Sequence, residues 1–99
     1  MTVGELLSEL KKYHPKSIGR FFSKQGDEEQ VRMVCWDAKR VYLAPHGERR
    51  LLIGELIMQL EAWNSVDFEV CFLTQANEVT KIRSLDVSDD DVAILQGRN

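Results

Sequence analysis

In residues 3–13 the apolar positions Val3, Leu6, Leu7, Leu10 and Tyr13 recur at the three- and four-residue spacing of one helical face. Thr2 and Glu5 stand at its start with the spacing of a capping box. The hydroxyl would accept from the Glu5 N–H, and the carboxylate would reach back to the Thr2 N–H. Pro15 disfavours helical geometry at His14, so the helix should end there. Residues 53–63 repeat the pattern with Ile53, Leu56, Ile57, Leu60 and Trp63. Leu52 occupies the place of the capping Thr, which leaves this start without a hydroxyl, and Asn64 and Ser65 predict its end.

Strand-like runs follow each helix: 17–23, 31–36 and 40–43 in the first half, then 67–73, 80–87 and 91–95 in the second. Phe68, Val70 and Phe72 alternate with Glu69 and Cys71, and Val31, Met33 and Cys35 with Arg32, Val34 and Trp36. Polar turns at 24–30, 37–38, 75–78 and 88–90 separate the runs. Residues 44–50 carry the Pro and Gly of a joint. Short connections favour antiparallel pairing. The expected fold is therefore α+β: a mainly antiparallel sheet of about six strands with two helices on one face.

The two halves also look alike in detail. Residues 4–10 read GELLSEL and residues 54–60 read GELIMQL, identical at Gly4/Gly54, Glu5/Glu55, Leu6/Leu56 and Leu10/Leu60. The likeness continues at Tyr13/Trp63, Ile18/Phe68 and Phe22/Phe72. One residue further out of step, it reaches Val41/Val92 and Leu43/Ile94. Two copies are too few for a solenoid. The expectation is one domain, 1–99, built from two pseudo-symmetric α-β-β-β halves, 2–45 and 51–97.

Thr2-Val3-Gly4-Glu5-Leu6-Leu7 followed by Leu10 resembles the opening of small uncharacterised proteins of phages, prophages and other bacteria. These often begin Thr-Val-x-Glu-Leu-Ile-x-x-Leu, then a short polar segment, then a strand. The second half, from GELIMQL through FEVCFL to DVAIL, is similar to one whole unit of that kind. Such proteins usually carry a Pro and an Asp between helix and strand. Here the first copy has His14-Pro15-Lys16 without an Asp, and the second has Asn64-Ser65-Val66-Asp67 without a Pro. The resemblance implies a phage or mobile-element origin and transfers no catalytic residue.

With 99 residues, 43% hydrophobic and 29% charged, the composition is that of one ordinary globular domain. No apolar run approaches the roughly 20 residues of a membrane helix. The first residues lack the basic-then-apolar order of a signal peptide. A cytoplasmic protein without a membrane partner is expected. Net charge is −3, yet residues 1–50 hold ten Lys/Arg and seven Asp/Glu (+3), whereas residues 51–99 hold three and nine (−6). Such segregation suits two faces of opposite sign and a charged partner.

The residues offer little for catalysis. Cys35, Cys71, His14 and His46 show no zinc spacing, no glycine-rich phosphate loop exists, and both cysteines sit in apolar runs as core thiols would. No enzyme, metal or cofactor is expected. The reading that remains is a non-enzymatic protein-binding module, in its most concrete form an anti-CRISPR-like inhibitor of a host defence complex. Its contacts are expected at Asp89, Asp90 and Asp91 on one side and at Arg49 and Arg50 on the other. A run of carboxylates imitates a phosphate track and fits a basic site on a host protein. Two alternatives stand beside it: a nucleic-acid-binding accessory protein using the basic first half, with Phe21, Trp36 or Tyr42 for stacking, and a toxin immunity protein. An open sheet edge also allows a homodimer.

Overall fold

A computed structural model describes residues 1–22, 28–62, 66–89 and 92–97, with side chains throughout except at 83, 86–89 and 92–97. Among these residues there are two helices and seven strands. Helix α1, Val3–Leu10, buries Val3, Leu6, Leu7 and Leu10. Its capping box forms as expected, with Glu5 N–H donating to Thr2 Oγ1 (3.2 Å) and Thr2 N–H to Glu5 Oε1 (3.0 Å). The helix stops three residues earlier than the apolar spacing suggests. Lys12 and Tyr13 bond back to Glu9 and Leu10 in a tightened last turn ahead of Pro15. Helix α2, Ile53–Ala62, buries Ile53, Leu56 and Leu60. It keeps half of the box, because Glu55 Oε1 accepts from Leu52 N–H at 3.1 Å.

The first half contributes β1 (Ile18–Phe22), β2 (Glu28–Gln30), β3 (Met33–Trp36) and β4 (Arg40–Ala44). The second contributes β5 (Glu69–Leu73), β6 (Val79–Asp89) and β7 (Val92–Gly97). Strand β2 falls in the segment expected as a turn, so the first half carries four strands rather than three. The order across the sheet is β2-β1-β7-β6-β5-β4-β3. The expectation of one mainly antiparallel six-stranded sheet needs correction: the sheet is mixed and divides into two parts that share β6. The antiparallel pairs β1–β2, β3–β4, β5–β6 and β6–β7 lie within a half. The parallel pairs β1–β7 and β4–β5 lie between halves. Tight turns favour antiparallel neighbours along the chain but say nothing about partners 29 residues away, as for Arg40 and Glu69, or 74 residues away, as for Ile18 and Val92.

Two segments carry the chain from one part of the sheet to the other. Strand β6 pairs with β5 through 79–81 and with β7 from Ile82 onward. At the opposite side Val31 N–H donates to Gly19 O in β1, and Arg32 N–H donates to Ala44 O in β4. The ends of the strand order, β2 and β3, are thus joined through two residues.

The junctions between halves are reciprocal. At α1, Thr2 bridges Glu69, Val3 N–H donates to Phe68 O and Gly4 N–H to Val66 O; at α2, Leu52 bridges Ile18, Ile53 N–H donates to Ser17 O and Gly54 N–H to Pro15 O. A Cβ on Gly4 would lie 3.3 Å from Val66 O, and one on Gly54 would lie 3.2 Å from Pro15 O. The recurring Gly-Glu therefore has two local causes, a backbone that passes close to the glycine and a carboxylate that caps the helix start. In the core Phe21 stacks on Phe72, ring centroids 4.0 Å apart and nearly parallel. Both rings are fully buried, among the inward residues of both helices and both parts of the sheet. The ring stacked on Phe72 is Phe21 and not Phe22, the residue matched to Phe72 by the sequence.

Candidate functional site

The outer face of β3, β4, β5 and β6 is the most differentiated surface among the described side chains. Its orientation follows from burial. Val41, Leu43, Val70, Phe72 and Ile82 point into the core, so Arg40, Tyr42, Glu69, Cys71, Leu73 and Lys81 point out. Strand β3 turns Val34 and Trp36 toward the core and Met33 and Cys35 away from it.

Cross-strand register sorts these outward residues into rows. Cys35, Tyr42, Cys71 and Lys81 face one another in sequence across the four strands. On one side of this row Met33 stands opposite Ala44, and Leu73 opposite Val79. On the other side Arg40 stands opposite Glu69. Met33 remains 37% exposed and Val79 43%, so an apolar row with exposed ends adjoins a polar one.

Hydrogen bonds order the polar row. The β3–β4 turn is closed by Asp37, whose Oδ1 accepts from Lys39 N–H (3.1 Å) and Arg40 N–H (3.0 Å). Its Oδ2 accepts from the Tyr42 hydroxyl at 2.7 Å. The same bond holds the Asp37 carboxyl below its ordinary range and raises the Tyr42 phenol. Arg40 Nε lies 3.9 Å from Glu69 Oε1, and Cys71 Sγ donates to that same oxygen at 3.5 Å. Burial pushes the Cys71 thiol up, with Glu69 adding to it. It is a fully covered thiol whose burial disfavours the thiolate. Cys35 and Cys71 are separated by β4. Two strand spacings place their Cα atoms roughly 9–10 Å apart, beyond disulfide reach, and both are free. Cys71 is a buried thiol as expected, while Cys35 is only half-buried.

Of the residues expected to make contact, Arg49, Arg50 and the backbone of Asp89 lie elsewhere. Arg49 forms a two-pronged ion pair with Glu55, Nη1 to Oε1 at 2.9 Å and Nη2 to Oε2. The Arg49 guanidinium beside it, with the Leu52 N–H, holds the Glu55 carboxyl down to about 2. Arg50 is exposed. Asp89 ends β6 opposite Val92, and Asp90 and Asp91 lie outside the described residues. Ile18 is partnered by Leu52 on one edge and by Val92 on the other. Of the described backbone, Leu52, close after Arg49 and Arg50, and Val92, the register partner of Asp89, therefore pair with Ile18 of β1 from opposite edges.

The basic first half is interleaved with acid. Of its ten Lys and Arg, Lys11, Lys12, Arg20, Arg40 and Arg49 lie within 4 Å of Glu61, Glu9, Glu28, Glu69 and Glu55. Phe21 is in the core and Trp36 packs against it, which leaves Tyr42 as the outward aromatic of the three. His14 sits in the turn after α1, where its Nδ1 accepts from Lys16 N–H at 3.1 Å. Among the described residues no three His, Cys, Asp or Glu converge in a metal-binding group, and no helix is long and apolar enough to cross a membrane.

Comparison with models of protein families, with curated proteins and with solved structures finds no match to this chain.

Proposed function

We propose that this chain is a non-enzymatic protein-binding module and that the outer face of β3–β6 makes the contact. The observation that carries the reading is the composition of that face. Met33 and Val79 are left exposed at the two ends of an apolar row, beside a polar row in which Tyr42, Asp37, Arg40 and Glu69 are already held in place by one another. An apolar centre with an ordered, charged border is the arrangement of protein interfaces, and tyrosine and arginine are their usual anchors. The partner that fits is a folded protein offering an apolar strip flanked by charges of both signs.

The more specific reading is an anti-CRISPR-like inhibitor of a host defence complex, acting in the cytoplasm. It rests on the phage-type opening Thr2–Leu7 and on the acidic run Asp89–Asp91, a second contact for a basic site. We also propose that the chain is a duplication of one α-β-β-β unit. The matching contacts of Gly4 and Gly54 and the paired Phe21 and Phe72 support this.

The test is a comparison of captured proteins. The wild-type chain, Met33→Asp/Val79→Asp, and Asp89→Ser/Asp90→Ser/Asp91→Ser are each used as bait in a nuclease-treated host lysate. A partner held stoichiometrically by the wild type and lost by the first variant, with circular dichroism unchanged, is the expected result. Retention by the first variant moves the contact off this face. Loss by the aspartate variant alone transfers it to the β6–β7 end.

A further inference from the structure

The seam between the halves has the features of an interface between two subunits. Within a half every described strand pairing is antiparallel and local. Between halves lie both parallel pairings, both helix starts and the Phe21–Phe72 stack. Neither half thus completes its sheet on its own residues, and each helix start, although capped by its own Glu5 or Glu55, also donates backbone N–H groups to the other half. The covalent link is slight. Glu48 is anchored to the first half through Arg32 Nη1, which reaches its carbonyl at 3.5 Å, and Arg49 is anchored to the second through Glu55. The pivot is the Glu48–Arg49 peptide.

Charge determines which halves suit each other across this seam. Lys11 and Glu61, at corresponding positions fifty residues apart, meet at the ends of the two helices with Nζ 3.3 Å from Oε2. Joining first half to first half would set Lys11 against Lys11, and second to second would set Glu61 against Glu61. The net charges act in the same sense: divided at the Glu48–Arg49 peptide, residues 1–48 carry +1 and residues 49–99 carry −4, and opposite signs meet only in the mixed arrangement.

We propose that a second copy of this chain completes the fold crosswise, the first half of each copy seated on the second half of the other. The segregated charge acts as the selector that disfavours like-with-like pairing. Opening at the pivot and closing in trans remakes every inter-half contact, so the exchange needs no new surface.

Lys11→Glu and Glu61→Lys test this. Each variant alone carries a mismatched seam. A crosswise dimer of one with the other restores Lys–Glu at one seam and Glu–Lys at its twin. The wild type, each variant, and an equimolar mixture with one variant isotope-labelled are refolded from denaturant at high protein concentration. Size is read by light scattering and composition by native mass spectrometry, after circular dichroism has confirmed folding. The expected result is a wild-type dimer fraction that rises with refolding concentration. In the mixture the ratio of mixed to unmixed dimers should exceed the random 1:1 and reach about 3:1 at low salt, as two exposed ion pairs allow. It should fall back toward random near about 1 M salt. Monomer alone at every refolding concentration overturns the exchange, and random assortment at low salt overturns the selection by charge.

Discussion

Glu55 shows how much one side chain at a helix start does here. It accepts from the Leu52 N–H and from Arg49, so it serves as half a capping box and as an anchor for the linker. Its folded pKa of about 2 lies below the ordinary value of 4.5. A depressed carboxylate contributes stability that is fully present above the unfolded pKa and is lost as pH falls through the folded one. Between pH 4.5 and about 2, Glu55 therefore makes the fold progressively less stable. In Arg49→Ala the Glu55 titration, followed by carboxyl NMR, should move up toward the ordinary range. The loss of stability on acidification should then become shallower across that window. An unmoved titration would mean that Arg49 does not hold the carboxylate in solution.

At the scale of elements, the two helices are tied down by the strand entrances of the opposite half. Gly54 is the sharpest case. A Cβ there would lie 3.1 Å from Pro15 Cβ and 3.2 Å from Pro15 O. That carbonyl cannot withdraw, because it accepts from the Gly54 N–H at 2.9 Å. Alanine is the better helix former by about 1 kcal/mol, and in an open helix Gly54→Ala would stabilise. Here the crowding outweighs the propensity, and a net loss of about 1–2 kcal/mol is expected in urea unfolding. An unfolding midpoint at or above that of the wild type would show that the α2–Pro15 contact is looser than the structure has it.

At the scale of the molecule, one core serves both halves. Phe21 and Phe72 come from different halves and stack at its centre with no exposure. Phe72→Ala should cost about 3–5 kcal/mol, a large share of a small domain's stability. It should also loosen both halves at once. Hydrogen exchange ought to report the same opening free energy for protected amides in β1 and in β5. Protection lost in β5 but kept in β1 would mean that the halves are separable units.

The sequence by itself determined the two helices, their buried faces, the Thr2–Glu5 cap and the approximate place of six strands, because these follow from periods of 3.6 and 2 and from local hydrogen bonds. It also showed the repeated Gly-Glu, although the cause of the glycine, a carbonyl contributed from the opposite half, is visible only in three dimensions. Tertiary structure alone decided what depends on distant partners: the parallel pairings between halves, the mixed sheet and the division at β6. The outer face was hidden for a similar reason. Straight alternation through 31–36 would put Val31, Met33 and Cys35 on one side. The step from β1 to β4 at Val31–Arg32 breaks that parity, leaving Val31 buried and Met33 exposed. Local periodicity carries no information about where a strand changes partners, so that reversal is settled only by which edges the chain has to join.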